Sequence, residues 1–224
     1  MIKRIFHIVT FPFYFIYLLI SFPFKIVKII LDDKFEKRRS NDSKLSVKTN
    51  DKELIDIGAL LFPEVKTYFE TFFNTFLNDN KRFLTENEEL LEDYDNLQLD
   101  KLTPIEVIYI FGDSKEKLWM TDWRGEENER EIENFLEDNL QIKTDWKNVN
   151  EIRKGFDEEK QSDGKFIIDL LKTIDRDLES INKRLIFLDL GWDAYVYTAI
   201  DQVSFETITD NFGTYFHGTE KLRK

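Results

Sequence analysis

The sequence predicts an α+β fold: a helix-rich domain around a small, mainly antiparallel sheet, preceded by one N-terminal membrane-anchoring helix. Three observations carry this. Residues 5–24 form a twenty-residue run without Asp, Glu, Lys or Arg. Several later stretches repeat apolar residues at intervals of three and four, the period of a one-sided helix. Two runs rich in β-formers near the C-terminus are joined by the short link Gly191-Trp192-Asp193. With 224 residues, 42% of them hydrophobic and 15% aromatic, the chain has room and material for one cored domain plus an extension. The division is residues 1–31 as membrane anchor, 32–50 as a basic and then polar linker, and 51–224 as a single soluble domain.

Taken in order, the anchor comes first. At helical rise, residues 5–24 would cover about 30 Å, the thickness of a hydrocarbon core. Pro12 and Pro23 are compatible with a membrane span, where neighbours re-satisfy the freed backbone. After Pro23, Lys25 and Lys28 share one face of an otherwise apolar stretch. That places them at the lipid–water interface, with their ammonium groups reaching headgroups. The far flank holds Lys25, Lys28, Lys34, Lys37, Arg38 and Arg39, against Lys3 and Arg4 on the near flank. By the positive-inside rule the body faces the cytoplasm, and residues 5–31 are the expected membrane contact.

Within the body, a helix runs from Asp51 to Phe62, where Pro63 interrupts it. Val65, Tyr68, Phe69, Phe72, Phe73, Phe76 and Leu77 then mark a broad apolar helical face. Thr85 with Glu88 reads as a capping box, and Thr103-Pro104-Ile105-Glu106 as another, with proline at the first helical position. The VIYIF run that follows is also compatible with a strand. A strand is expected over 117–123, a helix over 126–140, and a shorter helix after Thr144 that buries Trp146, Val149 and Ile152. Ser162 or Asp163 is expected to cap a long helix through Ile181. Strands over 184–190 and 194–200 follow, and Ser204 begins a last helix that Gly213 ends.

Charge is unevenly placed: residues 1–40 carry a net +5 and the remainder a net −17. Such a body repels phosphate backbones, so nucleic acid is disfavoured as a partner, and a basic protein suits it. The absence of cysteine excludes thiol nucleophiles and thiolate metal sites, and the histidines are His7 and His217 alone. No phosphate-loop, dinucleotide, nucleophile-elbow or zinc-protease motif is present, so no cofactor is expected.

One constellation bears on chemistry. If the strands ending near Trp123 and Leu190 are neighbours, then Asp122, Glu126, Asp189 and Asp193 form an oxygen-rich nest for Mg²⁺ or Ca²⁺, the arrangement of a metal-dependent hydrolase. The competing expectation is architectural: acids at a helix start favour the dipole, and tryptophans cover sheet ends. On that reading no catalysis is expected, and Trp123, Arg124 and Trp192 are the candidate contacts of a protein-binding surface.

Asp122-Trp123-Arg124-Gly125-Glu126-Glu127, followed later by Asp189-Leu190-Gly191-Trp192-Asp193-Ala194-Tyr195, resembles an uncharacterised family of bacterial domains. These pair an Asp-Trp-Lys/Arg-Gly-Glu turn with a Gly-x-Asp-x-Tyr strand link. The resemblance covers about residues 100–212 and implies no catalytic role. Small acidic domains of this kind are similar in character to immunity proteins that neutralise toxins.

Overall fold

The computed structural model describes residues 53–95, 97–155 and 164–222. The anchor and linker expected over 1–50, the cap expected at Ser162 or Asp163, and the end of the chain lie outside these residues. Among the described residues no helix is long and apolar enough to cross a membrane.

Helix α1 (Glu53–Leu61) leads through a 3₁₀ turn at Pro63–Val65 to α2 (Lys66–Asn78), α3 (Asn80–Glu86), α4 (Glu88–Leu91) and α5 (Pro104–Ser114). Strand β1 (Trp119–Asp122) follows, then α6 (Glu131–Leu140), α7 (Lys147–Lys154) and α8 (Lys165–Glu179). Strands β2 (Lys183–Leu188) and β3 (Ala194–Asp201), helix α9 (Gln202–Phe212) and strand β4 (Phe216–His217) complete it. The sheet order is β1-β3-β2-β4, with every pair antiparallel. The α+β class read from the sequence therefore holds for the domain.

Side chains alternate across β2, and both faces are covered. Ile186 and Leu188, with Val196 and Ile200 of β3, enter a core built with α1, α2, α5 and α9. Leu185 and Phe187, with Tyr197, enter a second core built with α6, α7 and α8. The sheet is thus the middle of three layers, which is why β2 reads as a continuous apolar run rather than an alternation.

The first core is dominated by rings. Phe69 meets Phe111 edge-on at 5.1 Å, and Phe72 meets Phe83 at 4.9 Å in the same manner. Gly58 makes this possible, since a Cβ there would lie 1.8 Å from the Phe69 ring. Tyr68, expected on the inward face, is 72% exposed; α2 buries Phe69 and Phe73 and half-buries Phe72 and Phe76.

One local alternative is decided and one expectation is corrected. The VIYIF run is helix, as the signal at Thr103 and Glu106 implied, and the strand alternative falls. Thr103 Oγ accepts from the Glu106 N–H, and the Glu106 carboxylate accepts from the Thr103 N–H at 2.8 Å, a complete capping box with Pro104 behind it. Its β-formers serve burial, since every residue from Ile105 to Gly112 is buried. Thr85 caps nothing: its hydroxyl donates to the Lys81 carbonyl at 3.0 Å inside α3, and α4 starts after Asn87.

Gly58→Ala is expected to cost roughly 1–3 kcal/mol, the range for overpacking a filled core. Urea unfolding followed by circular dichroism reads it as a lower midpoint at unchanged slope.

Candidate functional site

The turn after β1 and the β2–β3 link lie at the same end of the sheet. Asp122 pairs in register with Ala194, while Leu188 pairs with Val196. Because β3 runs between them, β1 and β2 are not neighbours. Their ends stand two strand spacings apart, roughly 9–10 Å. The adjacency on which the metal nest depended is absent, and each acid has its own surroundings.

Asp122 folds back on its own turn. Its carboxylate accepts from the Arg124 backbone N–H at 2.8 Å and from the guanidinium at 2.9 and 3.2 Å. The Arg124 guanidinium holds the Asp122 carboxyl below its ordinary range. Both groups are exposed, so the pair contributes little to stability. Asp189 accepts from the Gly191 N–H at 3.2 Å, closing the first bend of the link, and Asp193 is exposed.

Glu126 departs furthest from expectation. Rather than standing in the first turn of a helix, its carboxylate is 5% exposed and meets Arg153 of α7 at 2.8 Å. Arg153 also donates to Glu133 of α6, at 2.8 Å from Nε and at 2.6 Å from the same terminal nitrogen that meets Glu126. Glu126 also accepts from the Ile132 N–H at 3.3 Å, so it serves the start of α6 from outside. Helix α6 accordingly begins at Glu131, five residues later than the expected 126–140, after Arg130 takes a left-handed φ of 69°. Burial pushes the Glu126 carboxyl up, against the opposing pull of Arg153. Beside this cluster, the fully buried Tyr197 hydroxyl shares a 2.8 Å hydrogen bond with Thr121.

The tryptophans divide between the faces. Trp123 is 39% exposed and its ring rests on Gly164 at the start of α8, where a Cβ would come within 3.0 Å. Gly164 also has φ +68°, so both its space and its backbone favour glycine. Trp192 is half-buried against the opposite core and stacks edge-on against Tyr109 at 4.8 Å. Trp123, Arg124 and Trp192 therefore share one end of the sheet but not one patch. Among the described residues no three His, Asp or Glu side chains gather in a group that would hold a metal ion.

Sequence reasoning missed the partners that fasten the layers. Asp177 of α8 accepts from the Asn148 and Val149 N–H groups at 3.3 and 3.0 Å, capping α7 from a neighbouring helix. Asp175 binds Arg184 at 2.9 and 3.0 Å, the Leu185 N–H at 2.8 Å and the Thr219 hydroxyl at 2.9 Å. A signal existed: Glu133, Asp175 and Asp177 sit within or beside the apolar stripes of their helices, where an acid needs a partner.

Together the turn, link and layers define a three-layer α+β domain whose diagnostic residues mostly hold its own elements in place. The chain belongs to the family described as Domain of unknown function (DUF6630), whose model matches residues 53–218. That span takes in the helices before residue 100 as well as the motifs at 122–127 and 189–195. No curated protein and no solved structure matches the chain.

Arg153→Met leaves two buried carboxylates without a cation and is expected to cost about 3–5 kcal/mol at pH 7. Denaturant midpoints should show a smaller loss in acid, where the orphaned Glu126 carboxyl, already pushed up by burial, takes up its proton. Glu126→Gln tests the raised pKa. Folding raises the affinity of Glu126 for its proton, so its own contribution favours the folded state below the ordinary glutamate pKa. That contribution is lost as pH rises through the folded value. The stability of the native chain minus that of Glu126→Gln should therefore fall as pH rises above the ordinary glutamate range.

Proposed function

We propose that this chain is a membrane-tethered, cytoplasm-facing bacterial module that binds another protein and catalyses nothing, immunity-like in character, with Trp123 as its leading contact. The observation that carries the reading is how the turn spends its side chains. Asp122 and Arg124 satisfy each other, and Glu126 is committed to Arg153, which leaves Trp123 as the apolar group offered to solvent. Met120, 50% exposed on the edge strand β1, extends the same end of the domain. A large aromatic side chain on a rigid strand end is an efficient anchor, since it contributes wide contact area at little entropic cost.

The acidic body favours a basic partner and disfavours nucleic acid. Arg124 can exchange its Asp122 partner for one across an interface. Trp192 contributes through its half-exposed edge while Tyr109 holds it. The tether is supported by the uncharged run over 5–24 and by the basic flank that follows it, with Lys25 and Lys28 at the interface.

A photo-crosslinking amino acid in place of Trp123, in living cells, should trap a discrete partner that the same group at Asp210 does not. With that partner purified, Trp123→Ala in the full chain is expected to weaken binding at least tenfold, about 1.4 kcal/mol. Unchanged affinity for both Trp123→Ala and Trp192→Ala, with the circular dichroism spectrum intact, would overturn the assignment.

A further inference from the structure

On the helical layer built from α2–α5, a second surface stands apart from Trp123. An open groove of about 380 Å³ lies between α3, α4 and the 3₁₀ turn at Leu99–Lys101, lined by Leu84, Thr85, Glu88, Leu91, Glu92 and Leu99. Three leucines form its floor. Leu91 is buried and belongs to the core, while Leu84 and Leu99 pack on the core but keep part of their surface exposed. The rim is acidic: Glu88 and Glu92 are both exposed. From Phe83 through Asp100 the chain carries seven Asp or Glu and no Lys or Arg, and Lys101 follows at the end of the 3₁₀ turn. Among the described residues, neither Glu88 nor Glu92 makes an ion pair, whereas Glu86 is held by Arg82 at 2.7 Å.

Architecture accounts for the leucines but not for the concentration of charge around them. Glu88 stands in the first turn of α4, where negative charge is favoured, but like charges crowded along one short stretch still repel one another. An apolar floor within an unpaired anionic rim is complementary to a segment with the reverse arrangement. We propose that this groove docks a basic amphipathic segment of a partner protein, its large apolar side chains on Leu84, Leu91 and Leu99 and its Lys or Arg on Glu88 and Glu92. The volume falls within the range of binding clefts, roughly 300–1,000 Å³, and accommodates one or two large side chains. Anionic lipid headgroups and nucleic acid phosphates are repelled by the same rim, so the occupant is a protein segment. The reading stands on residues other than those of the Trp123 surface, and either can fail without the other.

The test uses the full chain in zwitterionic nanodiscs, with empty discs as blank, and two short fluorescein-labelled peptides of identical Lys and Leu composition. One places its leucines a helical turn apart between lysines; the other is permuted so that no apolar face forms. Fluorescence anisotropy is expected to show at least tenfold tighter binding of the patterned peptide. Glu88→Lys with Glu92→Lys should abolish that preference, and Leu99→Gln should weaken binding of the patterned peptide. Glu127→Lys with Glu129→Lys makes the same change of charge at exposed sites elsewhere and should leave affinity within about twofold. A patterned peptide in which Glu replaces Lys should in turn bind the Glu88→Lys, Glu92→Lys protein. Equal affinity for the two peptides, no binding at all, or equal losses from the two pairs of charge reversals would overturn the proposal. The peptide comparison needs no altered protein, so it decides the matter even if a variant fails to fold.

Discussion

The pairing of β2 with β3 is the constraint from which the rest of the domain follows. From Leu185 to Leu188 every residue of β2 is buried, and its side chains enter opposite cores in alternation. A ladder buried on both faces cannot be left to water on either side, so each face needs its own helical layer. Helices α1, α2, α5 and α9 supply one layer, and α6, α7 and α8 the other. Strand β1 reaches the sheet only through β3, and β4 only through β2, so both depend on this central pair.

Burying helix ends and sheet edges leaves backbone N–H groups that must find acceptors. The domain answers with carboxylates projecting from neighbouring elements. Asp177 serves α7 from α8, Glu126 serves α6 from the preceding turn, and Asp175 serves β2 and the C-terminal Thr219. Two of these three acids also meet an arginine, so their charge is compensated where it is buried. Each acid thereby ties together elements far apart in the chain. The Asp-Trp-Arg-Gly-Glu turn is the clearest instance: Asp122 closes the turn, Trp123 covers Gly164, and Glu126 reaches across to Arg153.

This economy separates the inside of the domain from its outside. Glu126, Glu133, Asp175 and Asp177 are buried and bound by partners from other elements, whereas among the described residues Glu88 and Glu92 are exposed and make no ion pair. Met120 is exposed on the edge strand β1, and Trp123 in the turn that follows it. Exposed apolar surface therefore lies at two places that share no residue, one at Met120 and Trp123 and one at Leu84 and Leu99.

By itself the sequence determined which elements form and which class of fold they enter. Period and burial agree for α1, α8 and the β2–β3 hairpin, and for α2 apart from Tyr68; the cap at Thr103 and Glu106 is local chemistry that needs no partner. Residues whose fate depended on distant contacts were not legible in this way. Whether VIYIF becomes helix or strand is undecided by propensity, since its β-formers suit any buried site; the capping box and the ring-packed core decide it. Glu126 looks like an ordinary acid at a helix start until Arg153, twenty-seven residues later, draws it inside. Likewise Asp122 and Asp189 are close in any sheet where β1 adjoins β2, and only the strand order separates them. Local periodicity reports the face a residue must bury; the partner it meets there is set by long-range packing, which a linear pattern does not encode.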